Sequence, residues 1–370
     1  PPPPRRQRPV SDPVDLSAYL ANSFLPAASE ALPTLPLPDE SHVAGWRSWR
    51  PDGPVTPAEL AERMPQAAFA IEAGMAKSPA YRAAILSADA SAIPSNPTLP
   101  EGMLDFSVQA DFAGHLPVVG TDDRNLFEWM FRTLGARCEP VPISPQVHAL
   151  LITGLIAPGR ITATREAWDA GELRDDPAVA GVAGVDQWNT AMPLLDKADP
   201  TRFRDRLLIV HDDVYAGLEA IDLDPPLDPV TWLEKSRIIR HHHEFAHYAT
   251  RRLFQNMRLN LHDEIIADSM GFMAAFGRFD STLFLRAMGI EPDRVPVSEA
   301  RAWTYVQGLT EPDVLHACQL TIDAARNTEA WLELMPGLSP PQVLQSLART
   351  SLPEIAGPDA IEILTATLES

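Results

Sequence analysis

The segment from Pro229 to Phe254 carries no glycine and no proline after its first residue, in a chain whose 370 residues include 37 prolines and 19 glycines. So long an uninterrupted stretch has one economical conformation. Asp228 stands where a side-chain cap is needed, Pro229 fills the first helical position, and Asn256 follows the last apolar residue, so a helix ending near Phe254 is predicted. The same grammar recurs along the chain. Thr56-Pro57-Ala58-Glu59 reads as a capping box, and Ser78-Pro79 opens another helix. Asp122 is expected to cap a segment ending near Gly135, and Ser144-Pro145 to start a helix that stops at Pro158-Gly159. Asp199-Pro200, Ser339-Pro340 and Gly357-Pro358 repeat the device. Strand signals are few: Leu207 to His211 is the best short apolar run, with Leu104 to Phe112 and Gly159 to Thr164 weaker. The expected fold class is therefore mainly α with a small β-sheet (α+β).

Thirteen of the prolines fall in residues 1–57, which lack any sustained period. This stretch reads as an extended N-terminal segment, either a solvated leader or, given Phe24, Trp46 and Trp49, an arm packed over the body. Arg5, Arg6 and Arg8 are too few to be more than solvent-facing charges. Two lobes around a cleft are expected behind it, residues 58–227 and 228–370.

With Lys plus Arg at 30 against Asp plus Glu at 50, a net charge of -20 argues against nucleic acid and against an anionic membrane as partner. Two cysteines, Cys138 and Cys318, cannot frame a disulfide scaffold, and no apolar run reaches the length of a spanning helix. A cytoplasmic home is expected, although a chain opening on Pro1 leaves room for a removed signal peptide. No GxGxxG, GxSxG or GKS/T element appears, so nucleotide chemistry has no support.

Five of the ten histidines lie between His241 and His262. Within them His243-Glu244-Phe245-Ala246-His247 is an HExxH motif, which sets two imidazoles one helical turn apart with a glutamate between them. At about 100° per residue the pair falls on the seam between an apolar flank (Ile238, Phe245, Ala249, Leu253) and a polar one (Arg237, His241, Tyr248, Arg252). His241 and His242 face to either side as bystanders. Glu264 follows His247 by 17 residues, and Asp268 lies one turn further on the same face as Ala267, Gly271 and Ala275. Small residues there let one helix approach another closely, as Glu264 needs if it is to reach a metal held by the first. The bland alternative makes Asp263, Glu264 and Asp268 solvent charges in and near a first helical turn, and His262 a cap or surface residue.

An HExxH helix followed by Asp263-Glu264-Ile265-Ile266-Ala267-Asp268 resembles the gluzincin class of zinc metallopeptidases over about residues 240–270. The resemblance implies a zincin-like helical metal-binding core, with one Zn2+ held by His243, His247 and Glu264. It also implies Glu244 as general base, Asp268 fixing the His243 tautomer from the second shell, and a peptide or protein substrate. For the second oxyanion donor Tyr305, His316, His211 and Tyr215 are candidates, and Arg240 or Arg251 for a substrate-carboxylate clamp.

Two further readings stay open. Glu244 and His247 also form an ExxH, and Asp313 with His316 a DxxH, so with Glu264 they could build a di-iron carboxylate centre. Alternatively the metal is structural and non-catalytic, with His242 or His262 closing a fourth position.

Overall fold

The computed structural model of the chain describes residues 14–22, 24, 33–182, 184–185 and 187–368. Arg5, Arg6 and Arg8 lie outside the described residues. The fold is mainly α with one five-stranded mixed sheet. Two compact units divide it: Pro1–Leu35 with Asp213–Ser370, and Pro36–Asp212. The partition therefore falls at 212/213 rather than at 227/228. The expected leader 1–57 is shared between the units, its first part contributing helix α1 (Leu16–Leu20) to the helical unit.

The sheet unit opens with α2 (Ser41–Trp49), β1 (Gly53–Val55), α3 (Pro57–Arg63) and α4 (Pro79–Leu86). The Thr56–Glu59 capping box forms as predicted, and Ser78 caps α4 through the Tyr81 amide. Strands β2 (Leu104–Gln109) and β3 (Leu116–Thr121) make a hairpin; α5 (Arg124–Met130), β4 (Ala149–Ile156), α6 (Pro158–Asp169), α7 (Trp188–Ala198) and β5 (Arg204–His211) complete the unit. The order is β1-β2-β3-β5-β4, with only β3 and β5 parallel. The apolar run in β5 is central because both of its edges are paired and Leu207 to Val210 are buried. Trp46, Leu60 and Phe127 pack with Phe106, Val119 and Ile209 into one core. Beside it the buried Asp205 accepts from Trp46 Nε1 at 2.9 Å, with Arg63 and Arg160 each 3.6 Å away.

Several expectations need correction. Residues 149–156 form an edge strand on β5 instead of a helix from Ser144-Pro145, because the run AlaLeuLeuIle pairs in register with Leu207 to Val210, and an irregularity between Ile152 and Leu155 absorbs Gly154. Gly159 to Thr164 is the first half of α6, not a strand; Pro158 sits at its first position, and Thr162 and Thr164 return their hydroxyls to carbonyls one turn back. Asp123, not Asp122, caps α5, and Asp199-Pro200 opens only a single 3-10 turn.

Strand β2 stops at Gln109, short of the expected Phe112, because Asp111 accepts from the Ala113 amide at 2.9 Å and turns the chain. Burial raises the Asp111 carboxyl to about 6 against an ordinary 3.8, the Ala113 bond only partly opposing it. The folded state thus prefers the protonated acid, and that preference stabilises below pH 3.8 and is lost as pH rises through 6. Asp111→Asn keeps the acceptor without the charge, so it is expected to raise the melting temperature at pH 7.5 and leave it unchanged at pH 3.5. An equal shift at both pH values would show that charge burial is not the cause.

In the helical unit α8 (Pro229–Phe254) is capped by Asp228 through the Thr231 amide and ends at Gln255 in the left-handed region, as its uninterrupted sequence predicts. Helix α9 (Leu261–Phe276) lies along it, capped by Asn260 through the Asp263 amide. A Cβ on Gly271 would stand 2.7 Å from the Ile239 carbonyl oxygen, so the small-residue face of α9 is the face against α8. Helices α10 (Ser281–Met288), α11 (Trp303–Val306), α12 (Glu311–Leu334), α13 (Pro340–Arg349), α14 (Leu352–Ala356) and α15 (Ala360–Ala366) complete the unit.

The described residues of the N-terminal segment in this unit pack onto its helices. Phe24 is buried, its ring 5.7 Å from Phe254 and 5.9 Å from His262. The Leu261 amide donates to Tyr19 Oη at 3.2 Å, and Arg258 donates at 2.6 Å to the Ala18 and Ala21 carbonyls. Among the described residues no helix is long and apolar enough to cross a membrane.

Candidate metal centre

The capped start of α8 sets the phase of its imidazoles, and Gly271 brings α9 close enough for the carboxylates of its first two turns to meet them. His243 and His247 are buried, and Asp263, Glu264 and Asp268 have no exposed surface at all, which overturns the reading of these acids as solvent charges. The two Nε2 atoms stand 3.1 Å apart, with Glu264 Oε1 3.5 Å from His247 Nε2 and Oε2 3.7 Å from His243 Nε2. Ligands about 2.05 Å from a tetrahedral zinc are about 3.3 Å from one another. The observed separations bracket that value, so the three residues fit one small divalent ion.

The outer nitrogens say the same. His243 Nδ1 is 2.6 Å from Asp268 Oδ1, and His247 Nδ1 is 3.2 Å from Asp263 Oδ2. The Asp268 carboxylate bonded to His243 Nδ1 calls for the proton there, which leaves a lone pair on His243 Nε2; Asp263 is close to His247 Nδ1 but not in hydrogen-bond alignment with it. Two Nε2 atoms facing each other at 3.1 Å beside a carboxylate leave between them a place that suits a shared proton or a cation. Glu264 Oε1 is buried with no hydrogen-bond partner among the described residues, an open acceptor directed at the same place.

The buried charges are unbalanced. Three buried carboxylates, Asp263, Glu264 and Asp268, meet one buried cation, Arg301, whose Nη1 donates to Asp268 Oδ2 at 2.8 Å and whose Nη2 donates to Glu264 Oε2 at 2.5 Å. Three negative charges and one positive leave two uncompensated, the charge of one divalent ion. Burial would raise the Glu264 carboxyl; Arg301, then His243 and His247, outweigh it and hold it at about 2. Burial likewise opposes charge on Asp268 and is overcome by Arg301 and His243, which leaves it well below the carboxylate range. For His247 burial disfavours the imidazolium, but Asp263 and Glu264 raise it well above its usual value. Without a metal, the unbalanced field recruits a proton.

Other predicted residues fall into two groups. Tyr305 is brought to the site beside Arg301 and Glu264; burial, then the Glu264 charge, keeps it a neutral phenol. Tyr215 stands behind His243, its hydroxyl donating to Asp268 Oδ1, so it orients the ligand system and is not aimed at the open side. Glu244 is half-buried on α8 and makes no hydrogen bond or ion pair among the described residues. Arg240 is buried and donates to the Asp213 carbonyl at 2.8 Å. Arg251 is half-buried in the last turn of α8, with no ion pair among the described residues.

His316 is exposed on α12, and Asp313 accepts from Thr310 Oγ1 at 2.6 Å near the start of that helix. Neither belongs to the ligand group, so the second half of a di-iron centre is not assembled. His211 lies in the sheet unit, stacked on His148 with Nδ1 atoms 2.9 Å apart. His242 is exposed. His262 is buried and bonds to the Leu347 carbonyl, contrary to its expected place as a cap or surface residue.

Sequence reasoning missed Asp263 and Arg301. The first was legible as one turn before Ala267 on a helix already assigned; the second lies 33 residues beyond Asp268 in a stretch without periodic signal. A family model described as a family of unknown function, DUF7005, matches residues 9–359. No curated protein and no solved structure matches.

Proposed function

We propose, for a chain that belongs to the DUF7005 family of unknown function, that it is a zinc-dependent hydrolase of peptidase type. His243, His247 and Glu264 hold the ion and Glu244 serves as general base. The observation that carries this reading is the triangle of two facing Nε2 atoms and the unpartnered Glu264 Oε1, with a carboxylate behind each imidazole. When bound, the ion polarises a carbonyl and lowers the pKa of its water toward neutrality.

The remaining work belongs to the chain. Glu244, unengaged between the two ligands, accepts the proton of the attacking water and passes it to the leaving amine. Asp268 holds His243 with Nε2 inward, Asp263 places a negative charge 3.2 Å from His247 Nδ1, and Tyr215 steadies Asp268 from behind. Tyr305, a neutral phenol beside Glu264, donates to the developing oxyanion. A reducing, cytoplasmic setting belongs to the same reading, since Cys138 and Cys318 are free and buried.

Elemental analysis of protein purified without added metal should find one zinc per chain. Glu244→Gln should retain that zinc while hydrolysis of a peptide library falls by about 10²–10⁴-fold. Persistent hydrolysis by the variant would remove Glu244 as base, and two irons per chain would replace the zinc reading altogether.

A further inference from the structure

Glu264 offers two oxygens to a metal ion, and what decides how many are used is the arginine beside it. Arg301 lies just before α11, with its side chain 13% exposed. Its Nη1 donates to Asp268 Oδ2 at 2.8 Å, while Nη2 reaches Asp268 Oδ1 at 3.2 Å and Glu264 Oε2 at 2.5 Å. The guanidinium carbon stands 5.3 Å from the Tyr215 ring centroid, and the Tyr215 hydroxyl donates to Asp268 as well. The fork is thus gripped on both carboxylates and backed by an aromatic ring, the geometry in which an arginine has least freedom.

The two Glu264 oxygens are consequently unlike. Oε2 is occupied by Nη2, whereas Oε1 is 3.5 Å from His247 Nε2 and has no hydrogen-bond partner among the described residues. Nη2 is also nearly equidistant from the two nitrogens of His243, 3.4 Å from Nδ1 and 3.5 Å from Nε2. A donor on the axis of the Nε2 lone pair would be much closer to Nε2 than to Nδ1. The arginine therefore leaves that lone pair free, and it stands beside the cation position without filling it.

We propose that Arg301 is a positioning residue that makes Glu264 a one-oxygen ligand, withholding Oε2 so that the ion takes Oε1 alone and keeps a coordination position for solvent. This rests on the metal reading above and extends it to what sets the coordination number. Three protein ligands leave a hydrolytic site open, and a two-oxygen carboxylate would fill the place needed by water or substrate. Arg301 also supplies the one positive charge that, with a divalent ion, neutralises the three buried acids.

Cobalt(II) alone, titrated into the full-length metal-free protein, reports this directly, because four-coordinate cobalt absorbs visible light much more strongly than five-coordinate cobalt. The wild type is expected to give the intense four-coordinate spectrum. Arg301→Gln frees Oε2, so its cobalt spectrum should weaken to the five-coordinate form and its affinity fall by about 10–100-fold. Arg301→Lys keeps the charge but not the fork; it should recover affinity while its spectrum remains five-coordinate, and it decides the matter if Arg301→Gln does not fold. A wild-type spectrum in Arg301→Lys, or wild-type spectrum and affinity in Arg301→Gln, overturns the assignment to Arg301 and leaves the metal site standing. Failure of the wild type to take up cobalt overturns the metal reading, and this inference with it.

Discussion

Replacing Glu264 with alanine should strip the protein of its metal, lowering affinity by more than the roughly 10–100-fold that follows loss of an outer-shell partner. The reasoning is electrostatic as much as coordinative. Removing Glu264 takes away the third ligand and leaves two carboxylates, Asp263 and Asp268, against Arg301; a divalent ion would then be in excess of the buried negative charge. Glu264→Gln isolates this term. It preserves volume and an acceptor for Arg301 but removes the charge, and should still cost most of the affinity. Metal content after dialysis against a chelator, with far-UV circular dichroism to confirm folding, is the measurement. Zinc retained at the wild-type level by a folded Glu264→Ala protein removes Glu264 from the ligand set, and the three-ligand site proposed for hydrolysis with it.

How far the site was readable from the residues follows from the range of the signals. The α8 boundaries, the phase of His243 and His247, and the face shared by Glu264 and Asp268 are consequences of helical periodicity over a few turns, and the structure reproduces them. Asp268 behind His243 was likewise legible, since one turn of helix separates it from Glu264. Arg301 was not, because nothing local distinguishes an arginine that will reach two buried acids from one that will face water. The sheet shows the same division. Leu207 to His211 announced itself as a strand, but β4 was mistaken for a helix: its proline-led start matched a helix signal, and only pairing with β5 reveals an edge strand. Tertiary partners overrode local grammar at β4, and at α6 Pro158-Gly159, read as the end of one helix, is the beginning of the next.

The small-residue face of α9 links packing to chemistry, and Gly271→Val is the substitution that tests the link. A Cβ at 271 would meet the Ile239 carbonyl oxygen at 2.7 Å and its Cγ2 at 3.0 Å. The first of these is backbone of α8, so no rotamer change relieves it; the helices must separate, and overpacking of this kind costs about 3 kcal/mol, the upper end of its usual range. For a unit of this size that corresponds to a fall in melting temperature of about 6–12 °C. The separation also acts on the site. Ile239 is one turn before His243, and Gly271 is less than one turn after Asp268, so any added distance at 271 pulls Asp268 from His243 Nδ1 and Glu264 from both Nε2 atoms. Zinc affinity should therefore fall together with stability, although residue 271 touches no ligand. Gly271→Ala, with the same Cβ and no further bulk, should show both effects in smaller measure. A Gly271→Val protein that melts early yet binds zinc as tightly as the wild type would show that the close approach of α8 and α9 serves packing alone.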